Sequence, residues 1–372
     1  MNLSYWEIKT WFSAIDYTIV GSGIVGLNTA LCLKTKHPWA KIVILEKGVL
    51  PQGASTKNAG FACFGSLSEI IDDLNTHTEE EVLGLIEKRI NGLQLLRSNL
   101  GDTKINYQNL GGYELFTKEN EALFNLCLEK KEFINTLLQP IFNADVFSFK
   151  GNGFNFKNIQ SKYAFNQFEG QLDTGKMMEA LLQKVLNLGV KVLNCCTVES
   201  FSSDANSVKV KTNFNEFSTS KLLIATNGFA SQLLNESVKP ARAQVLITKP
   251  LKNLHIKGTF HLDRGYYYFR NIDDRILFGG GRNLDFKTEE TEQFGQTALI
   301  QNRLESILKN TILPDIPFEI EHRWSGIMGV GSQKKAIVKA INHNVFCGVR
   351  LGGMGVAIGS SVGKELADLA CQ

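Results

Sequence analysis

The chain is predicted to fold as a discontinuous α/β Rossmann-like nucleotide-binding domain carrying an α+β second domain with a largely antiparallel sheet. Three observations predict this. A short apolar strand pattern runs directly into Gly21-Ser22-Gly23-Ile24-Val25-Gly26 and then into a helical pattern. The same strand-and-helix text returns in the middle and at the end of the chain, separated by two stretches of different character. Finally, 372 residues exceed one ordinary domain, and with 43% hydrophobic and 21% charged side chains they can bury a core, which excludes wholesale disorder.

Taken in order, residues 16–20 form a β-rich run that stops at Gly21, residues 24–36 have helical spacing, and residues 41–45 are the next strand. The pattern resumes with a helix at 174–188 and strands at 190–193 and 221–225. It closes with a strand at 344–349 and a small-residue helix at 355–369. Residues 208–211 begin a hairpin that turns near 213–216. In the first intervening stretch, Thr78 and Glu81 form a capping-box pattern ahead of a long helix ending at Gly101. Its apolar stripe is Val82, Leu85, Ile86, Ile90, Leu93 and Leu96. A second helix spans 119–138. The other stretch has strand character at 244–248, 265–270, 275–278 and 318–324, interrupted by a helix at 289–308. The nucleotide-binding domain is accordingly expected to comprise residues 1–76, 169–234 and 322–372, and the second domain residues 77–168 and 235–321.

Composition narrows the function. Forty basic against 37 acidic side chains leave +3, too mild a balance for a nucleic-acid footprint. The seven cysteines are scattered without a CxxC, so neither a zinc site nor a disulfide framework is expected, and reduced thiols in a cytoplasmic protein are. The N-terminal residues lack a basic lead into an apolar run, and no stretch approaches 18 uninterrupted apolar residues, so neither a signal peptide nor a spanning helix is expected. Six histidines without HxxxH or HxH spacing predict no metal. Gly359-Ser360-Ser361-Val362-Gly363 spells GxSxG but lies inside a predicted helix, where a nucleophile elbow cannot form.

The glycine motif carries the chemistry. Gly21 permits the tight turn, Gly23 lets a pyrophosphate touch the backbone, and Gly26 lets the helix pack on the strand. The helix N-terminus, at Ile24 and Val25, offers free N–H groups and partial positive charge to phosphates. Glu46, twenty residues on at a strand end, with Lys47 beside it, is placed to accept from ribose hydroxyls. This fingerprint suits NAD and FAD alike. The following run from Gln52 to Phe61 is small and hydroxyl-rich and can lie along an extended dinucleotide. Thr226-Asn227-Gly228 and Gly352-Gly353-Met354-Gly355 are two further turns at strand ends that suit a long ligand, with ordinary loops as the alternative.

On the segments DYTIVGSGIVGLNTALCL, ILEKG with GASTKNAGF, LDTGKMMEALLQKVLNLGVKV, LLIATNGFA, HRWSGIMG and GVRLGGMGVAIGSSVG, the chain resembles the D-amino acid oxidase, glycine oxidase and sarcosine oxidase family of FAD-dependent oxidoreductases. The resemblance covers almost the whole chain. It implies a discontinuous FAD domain, a substrate domain over the flavin, and oxidation of a carbon bearing nitrogen or oxygen. It further implies that Gly21, Gly23 and Gly26 hold the pyrophosphate and Glu46 the ribose. Ser55, Thr56, Asn58, Ala59 and Gly60 would form the loop near the flavin ring, Val198 the adenine contact, and Gly352 to Gly355 the turn near the pyrimidine end. Gly326, in the tryptophan motif, belongs with them. A helix starting at Gly355 would aim its positive end at flavin N1 and O2.

The match fails in two places. Many relatives carry W-x-G-x-R, whose arginine grips the substrate carboxylate, whereas this chain reads Trp324-Ser325-Gly326-Ile327-Met328. The resemblance places a flavin-attaching cysteine just after that motif in one branch of the family, and none stands there, so noncovalent FAD is expected. Period-two spacing places Tyr266, Tyr268 and Arg270 on one strand face as an anion-binding wall, with an exposed amphipathic strand as the alternative. Arg350, ending a strand just ahead of the glycine turn, is a further substitute cation, and Arg323 a weaker one. The expected activity is hydride transfer from the carbon next to an amine, with Tyr266, Tyr268, Arg270 and Arg350 orienting a small amine or amino acid substrate, and with oxygen or another acceptor reoxidising the flavin. The alternatives are a dehydrogenase of hydroxy acids or polyols, which needs a base such as His261, a flavoprotein acting on a modified tRNA base, and a non-catalytic dinucleotide-binding module.

Overall fold

The computed structural model describes residues 2–372. The first of its two large sheets has eight strands, six of them in the order Ile337–Ala340, Val345–Val349, Glu216–Ile224, Ile15–Val20, Ile42–Leu45, Lys191–Leu193, while Val208–Thr212 pairs with Glu216–Ile224 and Val198–Ser203 with Val208–Thr212. From Val345–Val349 onward the neighbours run parallel. Parallel strands are covered on both faces and therefore read as continuous apolar runs. Ile42–Leu45 is buried at every position, and one core cluster fills each face of this sheet.

The Ile24–Lys36 helix is buried from Ile24 through Leu31 because a second helix, Gly355–Ala370, lies against it. Gly363 allows that contact, since a Cβ there would stand 2.8 Å from the Val25 carbonyl. Leaving the Ile15–Val20 strand, the chain builds one side of the sheet. It returns through Glu216–Ile224 to build the other, so the strand ends at Val20 and Ile224 flank the crevice of a topological switch point.

The second sheet has eight strands in the order Ile320–Val330, Lys239–Thr248, Arg275–Gly280, Tyr267–Ile272, Thr259–Leu262, Gly112–Leu115, Lys162–Asn166, Phe147–Gly151. Every pair is antiparallel except Gly112–Leu115 with Thr259–Leu262. Several elements depart from the sequence expectation. The three strands between 112 and 166 are short and were not anticipated. Helix begins only at Ala298, because the residues ahead of it are drawn into the sheet's polar anchoring, where Glu289 takes Arg242 and Gln244 as partners at 2.8 and 2.9 Å. The 318–324 strand continues to Val330, so the break expected at 322 falls inside it and the tryptophan motif belongs to the second sheet.

Between the sheets lies the Glu79–Leu100 helix, whose capping box forms as expected, with the Glu81 N–H on Thr78 and the Glu81 carboxylate on the Thr78 N–H. Its buried face is Val82, Ile86, Arg89, Gly92, Leu96 and Leu100, so an arginine sits within the apolar stripe. Among the described residues no helix is long and apolar enough to cross a membrane.

Candidate active site

A cleft of about 440 Å³ connects the carboxyl ends of the parallel strands with the face of the second sheet. Its dinucleotide end is built largely from backbone. Gly21 has φ +102°, and a Cβ there would meet the Ala225 carbonyl at 2.9 Å, so the turn after the first strand requires glycine. A Cβ on Gly26 would collide with the Gly21 carbonyl, which makes Gly26 a packing residue behind the cleft wall.

Gly23 caps the Ile24–Lys36 helix without a side-chain bond, and the Ile24 N–H instead donates to Ser55 Oγ at 2.9 Å. An oxygen acceptor thus already occupies the site where a phosphate oxygen would bind. Glu46 is buried and collects four donors: Ser22 N–H (3.1 Å), Ser22 O–H (2.8 Å), and the N–H groups of Gly48 (3.1 Å) and Gln52 (3.3 Å). That cage fixes the carboxylate at the cleft wall beside Lys47.

Along the ring-side stretch, Ser55, Asn58, Ala59 and Gly60 line the cleft, and Thr56 lies behind them with its hydroxyl on the Pro51 carbonyl. Val198, Thr226, Asn227 and Gly326 also line it, whereas Gly228 does not, being pressed against the Met328 backbone. Thr226 Oγ1 is buried without a partner. At the far side Gly352 and Gly353 adopt φ of +60° and +83°, and the Gly355–Ala370 helix starts at Met354 with no side-chain cap. Its open N–H groups and partial positive charge face the cleft, which Gly352 through Gly355 line. Cradles that a Cβ would fill, an uncapped helix end and an unpartnered hydroxyl together fit a dinucleotide, and these residues would hold FAD.

The substrate end is built from side chains. Tyr266 and Tyr268 both line it, but Tyr266 sits in the turn before the Tyr267–Ile272 strand, so the expected period-two face starts at Tyr268. Burial pushes the Tyr268 phenol up to about 12. Arg270 is on that strand but does not reach the cleft. It is buried behind Gly60, with Nη2 where a Gly60 Cβ would come within 3.0 Å, and burial lowers its pKa to about 10 against the opposing pull of Asp173 and Asp273. Arg350 also lies off the cleft, donating Nε and Nη2 to the Lys335 carbonyl (3.1 and 3.0 Å) and Nη1 to the Ser237 carbonyl (3.3 Å). Arg323 bonds Gln301 and Glu305.

Besides Lys47 and Glu46, the charged groups that line the cleft are Lys57, Arg89, Arg264, Arg282 and Lys334, together with His261 and the carboxylate Glu69. Sequence spacing could have exposed Arg89, which falls in register with Val82, Ile86 and Leu96. Nothing local marks Arg264 or Arg282, which turns bring to the cleft. His261 Nε2 bonds Glu169 at 2.6 Å, and both are buried. Burial alone disfavours the imidazolium, but the adjacent carboxylate and its hydrogen bond outweigh it and raise His261 to about 9. Cys63 completes a cluster with this pair, its thiol pushed well up by burial and then by Glu169. Three distant segments supply this cluster, so histidine spacing could not foretell it.

A family model described as FAD dependent oxidoreductase matches residues 16–369. The bifunctional protein ThiO/ThiG of Synechocystis sp. is 23% identical over 303 residues, 76% of this chain and 41% of that protein, so the chain spans less than half the length of this curated relative. Among solved structures, glycine oxidase from Geobacillus kaustophilus superposes with a TM-score of 0.78 at 20% identity, covering 95% of this chain and 94% of that one. L-proline dehydrogenase from P. horikoshii gives 0.75 at 17% identity, with coverages of 96% and 93%. These likenesses establish the fold, and the match over residues 16–369 establishes the family: the chain belongs to the FAD-dependent oxidoreductases, an enzyme whose cofactor is FAD.

Proposed function

We propose that the enzyme oxidises the C–N bond of a small amine or amino acid, removing two electrons and leaving an imine that water hydrolyses to a carbonyl compound and an amine. FAD supplies the two-electron acceptor. The observation that carries this reading is the state of the cleft's bases. A hydroxy acid must lose its hydroxyl proton as the hydride departs, which requires a general base titrating near neutrality. His261 is the only histidine lining the cleft, and Glu169 holds it protonated up to a pH of about 9. Tyr268, at about 12, is no better. A neutral amine needs no such base, because its own lone pair supports the developing cation, and the protein's contribution is then position and electrostatics.

Glu69 offers the amine nitrogen a carboxylate partner on the cleft wall, and Tyr266 and Tyr268 offer phenols that orient the remainder. The relatives named above as glycine oxidase and proline dehydrogenase agree with an amine substrate. The test is product analysis with an added electron-accepting dye. Incubation with a panel of amino acids and secondary amines should yield a carbonyl compound and a free amine in equal amounts. Turnover of hydroxy acids alone overturns the proposal.

A further inference from the structure

Arg89 lies on the buried face of the Glu79–Leu100 helix, 5% exposed, and lines the substrate end of the cleft. A guanidinium carries five N–H donors. Here Nη1 donates to the Phe64 carbonyl at 2.5 Å, and Nε is buried with no partner. Among the described residues no carboxylate lies within ion-pair distance. The two whose charge it feels most, Glu69 and Asp73, are engaged elsewhere: Glu69 Oε2 accepts from the Ser66 N–H at 2.9 Å, and Asp73 Oδ1 pairs with Lys334 Nζ at 2.5 Å. A buried cation without a partner is strongly destabilising, and a leucine would complete the helix stripe without that cost. Met328, on the opposite wall, contributes a thioether and no charge.

We propose that Arg89 is the substrate-anion site of this enzyme: its guanidinium, which lines the cleft and has no carboxylate partner, takes the carboxylate of the amino acid in a two-pronged charge-assisted bond. The amine-oxidation reading supplies only the identity of the anion. Glu69, on the neighbouring helix, also lines the cleft and then faces the amine end of the same ligand, so the cleft recognises the amino acid by both of its groups.

The test uses the FAD-loaded enzyme without turnover. Propionate and propionamide are titrated against the visible flavin spectrum, and propionate should bind at least about 30-fold more tightly. Arg89→Met should remove that preference, and Arg89→Lys, keeping charge but losing the fork, should weaken propionate by about 10-fold. Equal binding of the two probes by the unmodified enzyme overturns the proposal, as does an unchanged propionate affinity in either variant. Should Arg89→Met fail to retain FAD, the unmodified enzyme and Arg89→Lys still decide. A variant that shifts the flavin midpoint potential while leaving propionate affinity intact assigns Arg89 to the cofactor and also overturns it. Loss of the amine-oxidation reading leaves these titrations unaffected, so the two fail separately.

Discussion

The two ends of the cleft are made in opposite ways. At the dinucleotide end, backbone N–H groups, glycines and one caged carboxylate line the cleft, and almost every contributor lies within a few residues of a strand end. At the substrate end, charged side chains converge from the Glu79–Leu100 helix, the turn at Arg264, the loop at Arg282 and the segment at Lys334. The first end depends on steric exclusion, the second on charged side chains, of which Arg89 and His261 are buried. The difference teaches where each is fragile, since a methyl group should ruin the first and a lost counter-charge the second.

The largest effect is expected at the substrate end. Glu169→Ala strands a protonated His261 inside the protein and should destabilise it by about 3–5 kcal/mol in urea unfolding. A loss below about 1 kcal/mol would mean that the pair is not charged. The pH dependence follows from the same pair. His261 titrates at about 9 when folded against an ordinary 6.5, so the native state binds the extra proton between those values. The pair's contribution is full below about 6.5 and is lost as the pH rises through about 9. Glu169→Gln should flatten that decline.

Gly26→Ala tests the other end. Its new methyl meets the Gly21 carbonyl, a backbone group, with the buried Ile19 side chain beside it. It should cost about 3 kcal/mol and yield protein that elutes without flavin absorbance. Smaller again is Glu46→Ala, which leaves the Ser22, Gly48 and Gln52 N–H groups unpaired behind the cleft wall. A rise in the FAD dissociation constant of about 10-fold to 100-fold is expected in a fluorescence titration. The smallest effect on function should come from Arg350→Ala. Its guanidinium ties down carbonyls at Ser237 and Lys335 outside the cleft, so stability should fall by about 1–3 kcal/mol while KM for the amine stays unchanged. A large rise in KM would return Arg350 to the substrate site.

The same contrast explains what the sequence made legible. The Ile24–Lys36 helix, the glycine turn before it, the Thr78 capping box and the helix start at Gly355 all follow from local rules, and each lies where spacing placed it. Period two also found the aromatic strand, but a turn through Asp263, Arg264 and Gly265, all at positive φ, delays its start to Tyr267. Tyr266 and Arg270 therefore do not share a common wall. Arg89, His261 and Arg282 lie far apart along the chain, and only the packing of the fold brings them to one cleft, with Glu169 bonded to His261. Arginine within an apolar stripe was the one local sign, because a charge at a buried helical position demands a partner.

The most direct measurement pairs substrates of one skeleton, alanine and lactate, added anaerobically to the FAD-loaded enzyme while the visible spectrum is recorded. The amine should bleach the flavin and the hydroxy acid should leave it yellow. Bleaching by lactate with alanine inert would contradict the account at its centre, because neither His261, protonated up to about 9, nor Tyr268, at about 12, is set to take the hydroxyl proton.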